Sequence, residues 1–292
     1  MPELPDLFYI SRYLQRQILN RRIVSATIHQ PVVIRNIIGD PVEDVLRDLF
    51  FTRIDYHGPF LRLTLSSMVE IVVNLMLAGR VQHQQKGDHP LGFKLLAMKL
   101  DDGTWLNICD EQKMAKIYIV HPGDYAAIPQ FADQGMDIRS KEFTGEYFTQ
   151  LAVKHSRKQV RVFIHDHTAL SSIGNAYADE ILFEAKIHPK TIVASLSADE
   201  LAALYRAIGS VIQHGIDHVA DAAQPIHLKV RDHMKVRNRQ GQPCPRCGSK
   251  VRREGVHGHD VFFCPTCQPV KRKVFIDWSK QPGGPHPADS QP

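Results

Sequence analysis

The stretch Ser172-Ile-Gly-Asn-Ala-Tyr-Ala-Asp-Glu-Ile-Leu-Phe183, followed by Ile187-His-Pro189, decides how this 292-residue chain is read. Apolar residues recur at spacings of three and four from Ala176 to Ala185, which predicts a helix with Gly174 just ahead of it. A glycine at that place permits positive φ in a turn between helices, and the short amide of Asn175 can then reach a phosphate. The alternative for Asn175 is a plain helix cap. The same spacing in Phe143–Val153, Val160–Ile164 and Ala198–Ile212 makes residues 140–222 helical. Ser197-Ala-Asp-Glu200 reads as a capping box for the last of these helices.

Upstream the pattern changes. A first helix is expected over Asp6–Asn20. Alternating or apolar runs follow at Arg22–His29, Leu61–Leu65, Val69–Leu75, Phe93–Leu100, Trp105–Cys109 and Lys116–Val120. Turns such as Asp101-Asp102-Gly103 separate them, so residues 1–136 read as a β-sandwich or barrel. Cys109 falls in an apolar stretch and reads as a buried small hydrophobe.

Downstream, Cys244-Pro-Arg-Cys247 and Cys264-Pro-Thr-Cys267 are separated by sixteen residues. Two such pairs joined by a hairpin-length segment predict one structural zinc held by four thiolates. Two disulfides are the alternative; no segment like a secretory signal opens the chain, so a reducing, cytoplasmic setting is expected. From Lys229 to Lys273 there are twelve Lys/Arg against three Asp/Glu, a segment charge of +9. The whole chain carries +5, which leaves the remainder at −4. A basic zinc module on a slightly acidic body suits phosphate contact, and a merely solvated basic face is the alternative. No apolar run approaches the roughly 20 residues that span a bilayer. The tail from Gln281 is rich in Pro and Gly and reads as disordered.

The chain opens Met1-Pro-Glu-Leu-Pro-Asp6. Removing Met1 leaves Pro2 as a secondary amine, able to form an iminium ion with an aldehyde carbon, with Glu3 beside it to handle protons. Many chains begin Met-Pro for no such reason, so this reading leans on the rest of the chain.

Together these segments resemble the formamidopyrimidine-DNA glycosylase and endonuclease VIII family, nearer its formamidopyrimidine branch. The resemblance rests on Pro-Glu-Leu-Pro5, the Ser172–Pro189 stretch, Val236-Arg-Asn-Arg-Gln-Gly-Gln-Pro-Cys244 and Phe263-Cys-Pro-Thr-Cys-Gln268, in family order. It implies an α+β architecture: an N-terminal catalytic β-sandwich domain (1–136), a helix–two-turn–helix domain (137–228) and a zinc finger (229–270). A C-terminal extension (271–292) follows. It implies a monomeric glycosylase and abasic-site lyase acting on damaged double-stranded DNA, with Pro2 as nucleophile and Glu3 as proton carrier. Asn175 is implied to touch the DNA backbone, and Arg161 stands where the family has a lysine near the active site. Arg239, ahead of the cysteines, is also assigned to DNA.

Several family positions are changed. Pro59, in Tyr56-His-Gly-Pro-Phe-Leu61, replaces a catalytic lysine, and His57 is the nearby proton-bearing side chain. His259 replaces the zinc-finger arginine, five residues before Cys264. The void-filling residues of the family become Leu77, Gln112 and Met114, which could still wedge into a base stack. Two functions therefore compete: a divergent glycosylase, or a protein that binds damaged or abasic DNA without excision. A zinc-ribbon protein for RNA or protein partners is disfavoured by the helical stretch.

Overall fold

The computed structural model describes residues 1–270. The expected tail, with Lys271, Arg272 and Lys273 of the basic segment, lies outside the described residues.

Helix α1 spans Leu4–Ile18, starting two residues earlier than expected because Pro5 serves in the first turn, where a missing N–H costs nothing. The chain then lays down β1 (Ile23–Ile28), β2 (Ile34–Asn36), the short helix α2 (Val42–Leu46), β3 (Phe51–His57) and β4 (Phe60–Leu65). It continues with β5 (Val69–Asn74), β6 (Arg80–Gln84), β7 (Lys94–Leu100), β8 (Trp105–Cys109) and β9 (Lys116–Val120). These strands form two sheets, ordered β1-β7-β8-β6 and β2-β9-β5-β4-β3. Leu61, Leu63, Ile71, Val73, Ile117 and Ile119 of one sheet share a core with Ile23, Leu96, Met98, Leu106 and Ile108 of the other. The α1 stripe Leu7, Ile10, Leu14, Ile18 closes that core at i, i+3/i+4 spacing. Strand β5 is nearly continuously buried because Val72 packs on the other face with Phe60, Tyr118, Ile128 and Phe131.

Strands β2, β3 and β6 and helix α2 were not expected, and for β3 and β6 the reason is chemical. In β3, Asp55 lies opposite Arg62 of β4 and accepts two hydrogen bonds from it at 2.8 and 2.9 Å. In β6, the buried Gln82 takes Asn107 Nδ2 at 3.3 Å and donates to the His89 carbonyl at 2.9 Å. These strands are held by paired polar side chains, which a search for apolar alternation passes over.

The helical part begins with β10 (Met136–Asp137), which pairs in parallel with β11 (Leu170–Ser171). Helix α3 spans Gly145–Lys154, α4 Val160–Ile164, α5 Asn175–Glu184 and α6 Ala198–Ala222. Helix α6 carries the expected capping box but runs ten residues beyond Ile212. Gly215, Ile216 and Val219 keep a buried stripe through an otherwise polar sequence, and Ala223 ends the helix in a left-handed conformation, φ 46°. Leu4 of α1 belongs to the helical core, packed with Phe148, Phe163, Ile173, Tyr177 and Ile208, so the chain's first residues are pinned between the two cores. A last hairpin, β12 (Arg252–Val256) with β13 (His259–Phe263), packs Phe262 against Phe183 and Val236.

Candidate active site and nucleic-acid interface

The N-terminus and α5 build one site from opposite ends of the sequence. The Leu4 N–H donates to the Ser172 carbonyl at 3.2 Å, which aligns residues 2–4 alongside the turn before α5. The Glu3 carboxylate then accepts from the Ala176 N–H at 3.0 Å and the Tyr177 N–H at 3.1 Å. These are first-turn donors without partners inside the helix, at its positive end, so a carboxylate is the group they favour. Gly174 is required here for a reason other than the expected one. Its φ is −92°, not positive. A Cβ on Gly174 would sit 2.3 Å from the Glu3 carboxyl carbon, so the glycine gives room for Glu3.

The amino terminus lies in a cationic corner. Leu77 offers its carbonyl both to the Met1 ammonium at 3.4 Å and to Lys229 Nζ at 3.1 Å. Burial, with the Lys229 charge added, lowers the terminal amine from 8.0 to about 6. Asp6 receives Arg231 Nη1 at 2.9 Å and also the Glu3 N–H at 2.8 Å. The segment 229–231 is thereby tied to residues 1–6. Lys229 and Arg231 belong to the basic run of the sequence, and only the fold brings them to the N-terminus.

Asn175 is the first residue of α5. Its side-chain oxygen accepts from Arg161 Nη2 at 2.7 Å, which leaves its NH2 group without a protein partner among the described residues. Arg161 itself is 2% exposed and bonds Asp179 through Nε at 3.1 Å. Burial pushes Asp179 up to about 6 against the pull of Arg161 and Arg237, and pulls Arg161 below its usual range. The structure thus places Arg161 behind Asn175, where it sets the rotamer of the amide. Neighbouring Glu180, also buried, accepts the N–H groups of Lys235, Val236 and Arg237 at 2.8, 2.9 and 2.9 Å. Asp179 and Glu180 organise the approach to the zinc hairpin, and neither was singled out from sequence.

The four cysteine sulfurs converge. Cys244 and Cys267 are 3.9 Å apart and Cys247 and Cys264 3.5 Å apart, and all four lie within 4.8 Å of one another. A tetrahedral site with zinc–sulfur bonds of about 2.3 Å separates its sulfurs by about 3.8 Å, so the donors fit one zinc in a closed, structural site. All five cysteines are free of disulfides, and Cys109 is buried as expected. Gln268, fully buried, accepts from the Cys264 N–H and donates to the Ile187 carbonyl, each at 2.9 Å. That side chain fastens the zinc site to the helical part.

The remaining sequence-predicted residues scatter. Leu77 is 60% exposed, and Gln112 is exposed on a loop whose turn is held by Asp110, which accepts from the N–H groups of Gln112, Met114 and Ala115. Met114 is half-buried. The Leu77 turn and the Gln112 loop border one cleft, lined by Ala78, Arg80, Asp110 and Gln112. His57 points to the protein: its Nε2 lies 2.9 Å from the Phe131 carbonyl. Pro59 sits in the β3–β4 turn with Gly58 at φ +53°. Arg239 donates to the Asp232 carbonyl at 3.2 Å. His259 is exposed, its ring 5.3 Å from His165, which burial and the Arg161 charge lower to about 3.

The basic segment is less free than its charge of +9 suggests. Arg231 is paired with Asp6, Arg237 with Asp179, Lys235 and Arg246 with Glu184, and Arg253 with Asp260. Lys250 and Arg252 are exposed and carry no ion pair among the described residues.

Known proteins share this arrangement along almost the whole described chain. The formamidopyrimidine-DNA glycosylase N-terminal domain matches residues 1–117, the H2TH domain of the same glycosylase matches 134–225, and the zinc finger found in FPG and IleRS matches 241–270. The chain belongs to the formamidopyrimidine-DNA glycosylase family. A formamidopyrimidine-DNA glycosylase of Pelotomaculum thermopropionicum is 29% identical over 278 residues, covering 93% of this chain and all of the relative. One of Desulforamulus reducens is likewise 29% identical, over 283 residues. The crystal structure of the MutM (Fpg) protein from Thermus thermophilus superposes with a TM-score of 0.79 at 28% identity, over 93% of this chain and all of that one. The Lactococcus lactis Fpg in complex with abasic-site DNA gives 0.81 at 22% identity, a likeness of fold.

Proposed function

We infer that this chain is a base-excision DNA glycosylase with abasic-site lyase activity, working on damaged duplex DNA. The observation that carries the reading is the pairing of a desolvated amino terminus with a buried Glu3 held by two α5 N–H groups. Once Met1 is removed, the Pro2 amine occupies the same corner beside Lys229, where burial and a neighbouring cation favour the neutral, nucleophilic form. Its lone pair attacks C1′ of a flipped-out nucleotide, and the base leaves with the electrons of the glycosidic bond. Glu3 protonates the sugar ring oxygen as the ring opens, and loss of the amine proton completes an iminium ion. That cation acidifies the C2′ hydrogens, so one is lost and the 3′ phosphate departs by β-elimination. Pro59 supplies no proton or charge in this scheme, so β-elimination ends should dominate over δ-elimination. Borohydride reduction in the presence of abasic duplex DNA tests the reading. A covalent protein–DNA adduct is the expected product, and its absence with the processed chain would leave only damage binding.

Asn175, set by Arg161, is assigned to a DNA phosphate, with Arg239, Lys250 and Arg252 along the hairpin side. Leu77, Gln112 and Met114 are assigned to the space beside the flipped nucleotide. We also infer a monomer, active in the cytoplasm at the nucleoid if the host is bacterial, with working boundaries of 1–136, 137–228 and 229–270. Among the described residues no helix is long and apolar enough to cross a membrane.

Two consequences follow from the contacts. Gly174→Ala puts a Cβ into the Glu3 carboxyl group. A displacement of about 1 Å at a catalytic group costs about 10²-fold in rate, so single-turnover cleavage of abasic duplex should fall by about that factor. An unchanged rate would remove Glu3 from the mechanism. The DNA contacts divide by charge. Arg252→Ala should lower the slope of log K against log salt by about 0.9, because a released counterion is lost with the cation. Asn175→Ala should weaken binding with the slope unchanged, since a neutral amide displaces no counterion. Equal slopes for Arg252→Ala and wild type would take Arg252 off the phosphate.

A further inference from the structure

A second group of metal-competent side chains lies away from the zinc finger, where α6 meets the segment 231–234. Helix α6 presents His214 and His218 four residues apart, hence on one face. The chain turns back at Arg231–Met234, where the Met234 N–H bonds the Arg231 carbonyl at 3.1 Å, and sets Asp232 and His233 against that face. A ring nitrogen of His218, a carboxylate oxygen of Asp232 and a ring nitrogen of His233 all lie within 4.8 Å of one another. The His218 and His233 rings are 4.5 Å apart by centroid, and the His214 ring is 5.8 Å from His233.

The surroundings orient these rings. His233 Nε2 is 3.1 Å from the buried Tyr177 hydroxyl. Its Nδ1 is buried with no hydrogen-bond partner. A ring with one nitrogen fixed by an oxygen and the other left bare is the arrangement of a metal-bound imidazole, in which an outer partner sets the tautomer. Tyr177 reaches this place because Gly215 on α6 has no side chain; a Cβ there would lie 2.6 Å from the tyrosine oxygen. Without an ion, His218 Nε2 lies 2.9 Å from the exposed Asp232 carboxylate, and a surface pair of that kind contributes little.

We propose that His218, Asp232 and His233, with His214 as a fourth donor, form a second binding site for a divalent first-row transition metal such as zinc. Imidazole and carboxylate donors suit zinc, nickel, cobalt or copper and disfavour magnesium or calcium. The donor atoms of His218, Asp232 and His233, all within 4.8 Å of one another, come within reach of the about 3.4 Å of a tetrahedral nitrogen/oxygen set after side-chain rotation. The bound ion would clamp α6 to the strap whose Lys229 and Arg231 lie at the N-terminus. Occupancy would therefore steady the cationic corner without touching substrate.

The test is calorimetric titration of Zn2+ into the full chain already carrying its zinc-finger ion. Wild type should take up one further equivalent. His218→Gln, at a partly exposed surface position, should weaken that second step by more than about 10-fold. Tyr177→Phe, which removes only the outer partner, should weaken it by about 10-fold or more. His29→Gln, an exposed histidine elsewhere, should leave it unchanged. A wild-type chain that saturates at a single zinc overturns the proposal, as does a second step that His218→Gln leaves intact. Mg2+ displacing the second ion at equal concentration would also overturn it, since the donor set would then not be the one named.

Discussion

Acetylating the amino terminus, or keeping Met1 in place, is expected to reduce borohydride trapping on abasic DNA to background. Pro2→Gly should retain a measurable part of it. The argument rests on one nitrogen. An acylated nitrogen has no free lone pair for C1′ and cannot become an iminium ion, so no reducible adduct forms. A glycine amine is primary but occupies the same terminus and still gives an imine. The corner around it tunes the pH dependence. Burial and the Lys229 charge bring the Met1 amine down from 8.0 to about 6, and the Pro2 amine that replaces it meets the same cation. That cation lowers the Pro2 amine in the same direction, and the nucleophilic free base is lost as pH falls through its lowered pKa, so trapping should decline as the buffer is made more acidic. Mass spectrometry of the mature terminus, run beside the trapping gel, checks the premise. Strong trapping by a chain shown to retain Met1 would refute Pro2 as the nucleophile. Damage binding without any trapping by the fully processed chain would favour the non-excising reading.

The parts of this architecture that were legible in the sequence are those where one residue type has one job. The cysteine spacing marked the zinc site because thiolates at that separation have few other uses. The spacing of apolar residues marked α3 to α6 because a helix buries one stripe. What the sequence hid was paired. The β3 strand depends on Asp55 meeting Arg62, and β6 on Gln82 meeting Asn107, contacts that exist only once the strands are side by side. The role of Gly174 was hidden for the same reason: its neighbour in space, Glu3, is at the other end of the catalytic and helical parts of the chain. The run of basic residues misled in the opposite direction. Charge can be counted from sequence, but Asp6, Asp179 and Glu184 neutralise much of it locally, and those acids come from earlier elements.

Cys264→Ser should remove the finger zinc and, with it, most DNA affinity. A serine hydroxyl is not ionised near neutral pH and is a poor ligand for a borderline-soft ion, so the closed four-sulfur shell cannot be completed. Structural zinc in such fingers is bound with about 10–16 kcal/mol, and that free energy is folding free energy for the hairpin that carries it. The loss would spread along identified contacts. Cys264 N–H holds Gln268, which holds the Ile187 carbonyl, and β13 presents the Asp260 carbonyl to Arg237 on its way to Asp179. Freed of those contacts, Arg252 and Lys250 no longer stand in fixed register with Asn175. The β-sandwich core, which draws no residue from the hairpin, should stay folded. Zinc content, fluorescence anisotropy with abasic duplex and a thermal melt measured on one preparation test this together. The expected result is no finger zinc, affinity down by orders of magnitude and a persistent main transition. Full zinc content with wild-type affinity in Cys264→Ser would show that the fourth sulfur is dispensable and that the hairpin's grip on DNA is organised by protein contacts alone.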